Sequence, residues 1–262
     1  MINTGSHLVA KNLARFKLIT FDVTDTLLKF SRPPEMQYAL AAKRHGCTDL
    51  NEPALAKCFR SNFKRMAREY PNFGKCSTYD WQWWWRTLVM DIFRESHAHL
   101  DHERLNRIAD DLIEDFKTSD CWTKTEMADE ILETARVHCK HVGIISNFDP
   151  RLRDIIGVMN LPTVDFIVTS YEVGDQKPGG KIFEHALSLC NSRVLPCEAL
   201  HVGNTPHLDY MGAKQAGWSS VLVNIDSASE KGVSLDPEIN PKHVFRNFSE
   251  FIHVLKTVEL KW

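Results

Sequence analysis

Four short stretches place reactive polar side chains directly after apolar runs or ahead of helical patterns. Asp22 follows Phe16-Lys17-Leu18-Ile19-Thr20-Phe21 and opens the tight polar turn Asp22-Val23-Thr24-Asp25-Thr26. Ser146 and Asn147 follow Val142-Gly143-Ile144-Ile145, and Lys177 lies in Val173-Gly174-Asp175-Gln176-Lys177-Pro178. Asn204 follows His201-Val202-Gly203 and leads through a polar turn to Asp209. A carboxylate exposed at a strand end could attack phosphorus in line and form an aspartyl-phosphate, splitting one hard step into two. An anion attacking an anion needs its charge neutralised. Taken singly, each residue has an ordinary reading. Asp22 and Asp209 suit a turn or the first turn of a helix, Ser146 a strand-end hydroxyl, and Lys177 a surface loop. Their order along the chain is what favours chemistry.

Such residues need a frame. Short apolar runs at 16–21, 142–145, 165–169, 199–202 and 220–223 read as strands buried on both faces. Helical patterns near 150–159, 181–191, 206–216 and 249–257 separate the later ones. Strands alternating with helices predict a parallel sheet with right-handed crossovers, whose ligands bind outside the carboxyl ends of the strands. Asp22, Ser146, Asn147 and Asn204 all fall there. Between Pro34 and Val137 the texture is helical throughout, at 35–45, 52–69, 78–95, 102–117 and from about 126, with no strand-like run. The expected fold is therefore α/β, a Rossmann-like three-layer parallel-sheet core at 1–31 and 126–262. An all-helical cap is inserted at 32–125. Residues 224–242 read as irregular and mobile.

The 262 residues are 43% hydrophobic and 25% charged, enough apolar material for a sizeable core. With 32 basic and 34 acidic residues the chain lacks the basic excess of a nucleic-acid binder. It also lacks an apolar run of membrane-spanning length and the apolar stretch of a secretory signal. Seven scattered cysteines without a C-x-x-C pair suit free thiols in a reducing compartment. An intracellular protein, cytoplasmic or nuclear, with no nucleic-acid or membrane partner is expected.

The ordered motifs Phe21-Asp22-Val23-Thr24-Asp25-Thr26-Leu27-Leu28, Ser146-Asn147-Phe148-Asp149, Lys177 and Gly203-Asn204 to Asp209 resemble those of the haloacid dehalogenase superfamily of hydrolases. So does a helical insert, with Tyr70-Pro71-Asn72-Phe73-Gly74 and Trp81 to Trp85, placed after the first motif. The similarity runs over nearly the whole chain. The resemblance implies Asp22 as nucleophile and Ser146 as a ligand of phosphoryl oxygens, with Asn147 and Thr26 beside it. Lys177 would neutralise both Asp22 and substrate. Mg²⁺ would be held by Asp22, the Thr24 carbonyl and Asn204, with Asp209 near the metal or its waters. A small-molecule phosphate ester is the implied substrate.

Two positions depart from the pattern. The family's phosphatases carry an aspartate two residues after the nucleophile, which protonates the leaving group; here it is Thr24. Losing a general acid–base group costs about 100- to 10,000-fold in rate. Gly203-Asn204 replaces the usual Gly-Asp, so one ligand charge is missing. A slow phosphatase is the first reading, a catalytically silent binding protein the second, and a metal-free carbon–halogen hydrolase the third. Of the indoles Trp81, Trp83, Trp84 and Trp85, at least two are expected inside the cap; Arg86 is a candidate substrate neighbour. Gly179-Gly180, in place of the family's Asp-Pro, should weaken the start of the helix after Lys177. His201 reads as a strand residue and Asp149 as a helix start.

Overall fold

A computed structural model describes residues 4–97, 100–224 and 236–262. The strands are β1 (Leu18–Phe21), β2 (Leu28–Phe30), β3 (Trp122–Lys124), β4 (His141–Ser146), β5 (Phe166–Thr169), β6 (Ala199–Gly203) and β7 (Ser219–Leu222). The helices are α1 (Thr4–Leu13), α2 (Pro34–Arg44), α3 (Glu52–Glu69), α4 (Trp81–Ser96), α5 (His102–Asp115), α6 (Ala128–His138), α7 (Leu152–Val158), α8 (Ser170–Val173), α9 (Gly180–Ser188), α10 (Gly212–Gln215) and α11 (Phe248–Thr257).

Five strands form a parallel sheet in the order β5-β4-β1-β6-β7. Phe21 lies in register with Ile144 on one side and Val202 on the other. The carboxyl ends of β1, β4 and β6 therefore finish side by side, which brings Asp22, Ser146 and Asn204 to one edge. The strands are buried along their whole length in β1, β4 and β6, as continuous apolar runs require. Alternate residues serve two faces. Leu18, Ile145 and Ala199 pack with Ile182, Phe183 and Ala186 of α9. Ile19, Phe21, Leu200 and Val202 meet Leu13 of α1, Ile131 and Ala135 of α6, and Phe251 and Leu255 of α11 around a common small void. Helices thus cover both faces of a Rossmann-like, three-layer α/β core.

Helix α1 is not legible in the sequence. Its stretch Thr-Gly-Ser-His-Leu-Val-Ala-Lys-Asn-Leu mixes weak helix formers with a short apolar stripe. Tertiary contacts hold it instead: Asn12 Nδ2 donates to the carbonyls of Leu255 (3.0 Å) and Val258 (2.8 Å), and its Oδ1 accepts from the Leu260 amide at 2.9 Å.

The chain divides into two compact units. One comprises 1–29, 124–147 and 160–262, the other 30–123 and 148–159. Residues 148–159, which the sequence pattern leaves with the core, cluster with the helices. The helical block also ends in a strand that the pattern does not predict, β3, which pairs with β2 in a separate two-stranded sheet. Helices α3, α4 and α5 start where Asn51, Asp80 and Asp101 accept from the amides of Ala54, Trp83 and Arg104. Their inner faces share a core with Tyr38, Leu55, Met66, Trp84, Leu88 and Phe93. Of the four clustered indoles only Trp84 is fully buried; Trp81, Trp83 and Trp85 are partly exposed. Four within five positions cannot share one helical face.

Within the stretch expected to be irregular, 225–235 lie outside the described residues. Around them stand Asn224, a turn at 237–239 and a short 3₁₀ turn at Pro241–His243. No helix among the described residues is long and apolar enough to cross a membrane.

Candidate active site

The site is built around Lys177. Its side chain is buried, 1% exposed, and all three ammonium protons have acceptors. They go to Asp22 Oδ1 at 2.7 Å, Asp209 Oδ1 at 2.6 Å and the Ile145 carbonyl at 2.9 Å. A buried ammonium is tolerated only when paired and hydrogen-bonded in this way. The backbone of Lys177 is clamped as well. Its N–H donates to Asn147 Oδ1 at 2.8 Å, and its carbonyl accepts from Asn147 Nδ2 at 2.9 Å. Asn147, expected beside the phosphate, has its side chain committed to holding the lysine loop. Only its backbone amide is left for a ligand.

Asp175 anchors the same loop. Its Oδ2 accepts from the Ile182 amide at 3.1 Å in the first turn of α9, and a Cβ on Gly179 would stand 2.5 Å from its carboxylate. The Gly179-Gly180 pair therefore does not leave the helix start without an acceptor, contrary to the sequence expectation. It makes room for Asp175.

Asp209 is likewise saturated. Lys177 Nζ and His201 Nε2 (3.1 Å) reach its Oδ1; the amides of Asn204 (3.1 Å) and Thr205 (2.8 Å) reach its Oδ2. Those donors fill the four or so lone-pair positions of a carboxylate. Asp209, expected near the metal or its waters, is here bonded to the Lys177 ammonium, the His201 ring and two backbone amides. The close approach explains Gly203, where a Cβ would lie 2.2 Å from Asp209 Cγ.

His201, at the centre of β6, reads in the sequence only as a strand residue. It is fully buried, with Nδ1 2.9 Å from Thr20 Oγ1. Burial, and then the Lys177 charge, push its pKa down against the pull of Asp209. The neutral ring donates from Nε2 to Asp209, so Nδ1 accepts from the Thr20 hydroxyl. The signal that could have found the pair is two polar residues in otherwise apolar strands.

The two carboxylates that share Lys177 respond in opposite directions. Burial raises the Asp22 pKa, the Lys177 charge offsets this only in part, and the Asp209 charge adds to it. For Asp209 burial also acts upward, but Lys177 and His201 together outweigh it and hold the carboxyl well below its ordinary range. The difference follows from partners: Asp22 has Lys177 alone on Oδ1, whereas Asp209 has four donors. Lys177 itself is costly to bury, but the two carboxylates raise its pKa above normal.

The rest of the site is lightly bonded. Asp22, 7% exposed, continues the ladder through its N–H to the Val202 carbonyl at 2.9 Å. Thr26 Oγ1 stands 3.5 Å from Asp22 Oδ2 and 3.4 Å from Asn204 Oδ1, both long for a hydroxyl bond. The Ser146 hydroxyl makes no hydrogen bond among the described residues, and it is not sealed from water. Thr24 makes no side-chain hydrogen bond among them either. Asp25 is exposed with φ of 59°, and its carbonyl and that of Thr26 accept from Asn224 Nδ2 at 3.1 and 2.8 Å. Asn224 is a turn anchor that nothing in the sequence singles out. Arg86 pairs with Asp110.

Among the described residues no three His, Cys, Asp or Glu side chains are arranged to hold a metal. The oxygens that could turn to a metal are Asp22 Oδ2, the Thr24 carbonyl and Asn204 Oδ1, the last on release of the Thr205 hydroxyl at 3.2 Å and the Thr26 hydroxyl at 3.4 Å. An all-oxygen set with one carboxylate fits Mg²⁺, which keeps several waters, and its single charge makes the fit a weak one.

A family model described as a haloacid dehalogenase-like hydrolase matches residues 16–217. The Rhythmically expressed gene 2 protein of Drosophila melanogaster is 38% identical over 261 residues, covering 96% of this chain and 100% of that protein. Haloacid dehalogenase-like hydrolase domain-containing protein 3 of Mus musculus is 32% identical over 247 residues, covering 94% and 96%. Among solved structures, YfnB from Bacillus subtilis, described as a HAD-hydrolase bound to magnesium, superposes with a TM-score of 0.65 at 17% identity. It covers 92% of this chain and 99% of its own; at that identity the likeness concerns the fold. Sequence and fold agree, and the chain belongs to the haloacid dehalogenase-like hydrolases.

Proposed function

We propose that this chain is a Mg²⁺-assisted phosphomonoester hydrolase that works through an aspartyl-phosphate on Asp22. The observation that carries the reading is the Lys177 ammonium held between Asp22 and Asp209. Lys177 fixes Asp22 by Oδ1, leaving Oδ2 to attack phosphorus. The new Oδ2–P bond forms as the bond to the leaving-group oxygen breaks, and water later attacks phosphorus to release phosphate and restore Asp22. The Ser146 hydroxyl and the Asn147 amide hold the non-bridging oxygens. Asp22, Asn204 and the Thr24 carbonyl would hold Mg²⁺, which would supply neutralisation of the phosphoryl charge. Thr24 cannot give or take a proton near neutral pH, so the leaving group departs unprotonated. Aryl and acyl phosphates, whose leaving groups are weak bases, are therefore the favoured class of small-molecule substrate. Absence of an acid–base group costs about 100- to 10,000-fold for the rest.

Thr24 and Asn204 also support a second reading, a protein that binds at this site without turnover. A panel of phosphate esters with Mg²⁺ and with EDTA separates them. Metal-dependent phosphate release that Asp22→Asn abolishes supports the hydrolase. An inert wild type whose Thr24→Asp/Asn204→Asp variant turns over supports the silent binder. Halide release from 2-chloropropionate in EDTA supports a metal-free dehalogenase instead.

A further inference from the structure

A row of polar side chains crosses the sheet where apolar ones would pack at less cost. Thr20 of β1, His201 of β6 and Ser220 of β7 lie side by side in register, and all three are buried. Helix α9 covers them, with the Phe183 ring edge-on to His201 at 5.5 Å. Buried polar groups are tolerated when hydrogen-bonded, and these spend their bonds toward the site. Thr20 Oγ1 stands 2.9 Å from His201 Nδ1, and His201 Nε2 stands 3.1 Å from Asp209 Oδ1. Ser220 Oγ lies within 3.3 Å of the His201 carbonyl and 3.4 Å of the Asp209 carbonyl. Asp209 Oδ1 accepts from Lys177 Nζ at 2.6 Å, and the same ammonium reaches Asp22 Oδ1 at 2.7 Å.

The chain of bonds has a direction. Asp209 is held ionised by its donors, so Oδ1 only accepts and His201 Nε2 carries the proton. The buried ring is neutral, which leaves Nδ1 as an acceptor for the Thr20 hydroxyl. In a neutral imidazole the partner of one nitrogen decides which tautomer is present. Without the Thr20 hydroxyl the proton is free to move to Nδ1, and a bare Nε2 then faces Asp209 Oδ1 lone pair to lone pair. The amides of Asn204 and Thr205 pin Oδ2. The carboxylate relieves the repulsion by turning Oδ1, and the Lys177 ammonium moves with it. A histidine kept for packing alone has no need of this oxygen; His201 shares the one that holds Lys177.

We propose that Thr20 and His201 are positioning residues for the reaction at Asp22. The Thr20 hydroxyl fixes the ring tautomer, the ring holds Asp209 Oδ1, and Oδ1 holds the Lys177 ammonium against Asp22. Neither residue touches substrate, and the ring keeps its proton throughout turnover. Lys177 neutralises charge that develops as phosphorus is attacked, so its displacement lowers kcat and leaves KM in place. This role rests on Asp22 as the nucleophile, whereas the tautomer and the place of the ammonium are readable without turnover.

NMR of the full, metal-free, nitrogen-labelled chain reads the His201 tautomer and the Lys177 ammonium protons. Turnover of p-nitrophenyl phosphate with Mg²⁺ reads the consequence. The wild type should carry the His201 proton on Nε2 and show a Lys177 ammonium signal protected from exchange. Thr20→Val keeps the shape and loses the hydroxyl. It should lose the single tautomer, shift the ammonium signal and lower kcat about tenfold at unchanged KM, as loss of one hydrogen bond to a charged group implies. Thr20→Ser should restore tautomer, signal and kcat. Should Thr20→Val fail to fold, His201→Gln, whose amide can donate to Oδ1, should keep the ammonium signal and His201→Leu should lose it. A wild-type ring protonated on Nδ1 overturns the proposal. So does a folded Thr20→Val that melts lower but keeps the ammonium signal and kcat, since its hydroxyl then serves structure alone. A wild type without turnover overturns the hydrolase reading instead, and the NMR spectra still decide whether Thr20 and His201 place the lysine.

Discussion

Asp22 and Asp209 touch the same ammonium, yet their pKa directions assign them opposite energetic roles. Asp209 has its pKa lowered by folding, so its contribution to stability is present above the unfolded carboxyl value and is lost as pH falls through the folded one. Asp22 has its pKa raised, so its contribution is full below the unfolded value and is lost as pH rises through the folded one; ionised at neutral pH, it costs stability. Asp209→Asn should therefore destabilise by about 3–5 kcal/mol, the usual result of breaking a buried pair. Asp22→Asn should abolish turnover while leaving the denaturation midpoint unchanged or higher. Chemical denaturation of both variants at neutral pH checks this, and a large loss in Asp22→Asn contradicts it. In the metal-free protein Asp22 should take up its proton at a pH above the ordinary aspartate range, read by an NMR titration of its carboxyl carbon. Thr24→Asp should raise turnover of alkyl phosphates by up to about 100- to 10,000-fold and change acyl phosphates much less, measured as phosphate release at neutral pH.

At the scale of elements, the ends of strands and the loops after them do the positioning. Asn147 and Asp175 act through the Lys177 loop from opposite sides: one grips its backbone, the other ties it to α9. Asn147→Ala should lower kcat through a displaced lysine while far-ultraviolet circular dichroism stays native. An unchanged kcat would show that the loop holds without the clamp. The buried strands are legible because a short, continuous apolar run that stops at a polar residue suits a strand covered on both faces and little else. The clamp is not legible, since an asparagine after a strand can face a ligand or a backbone with the same sequence around it. The role of Asp209 is hidden for a related reason: a carboxylate's identity is visible in sequence, but of the four donors that fill its lone pairs three come from 201–205 and the fourth, Lys177, from a separate stretch of chain. Helix α1 escapes a sequence reading because contacts with residues near 255–260 support it, and those are remote along the chain.

Across the whole molecule, each of the two compact units has its own buried core, one around the sheet and α9, the other around Trp84 and Phe93. Trp84→Ala should cost about 3–5 kcal/mol, measured by thermal or chemical denaturation, because it empties a fully buried indole site. The order of motifs and the alternation of textures are readable from the chain, whereas the grouping of 148–159 with the helices is not. That segment follows Ser146-Asn147 without a break in pattern, and only the Asp149–Arg151–Trp85 contacts reveal where it belongs. The proposed chemistry rests on one covalent bond. Mixing the protein with acetyl phosphate and Mg²⁺, quenching, reducing with borohydride and sequencing the peptides by mass spectrometry detects it directly. Conversion of residue 22 to homoserine, absent in Asp22→Asn, is the predicted result. An unmodified Asp22 in protein that consumes acetyl phosphate would contradict the account.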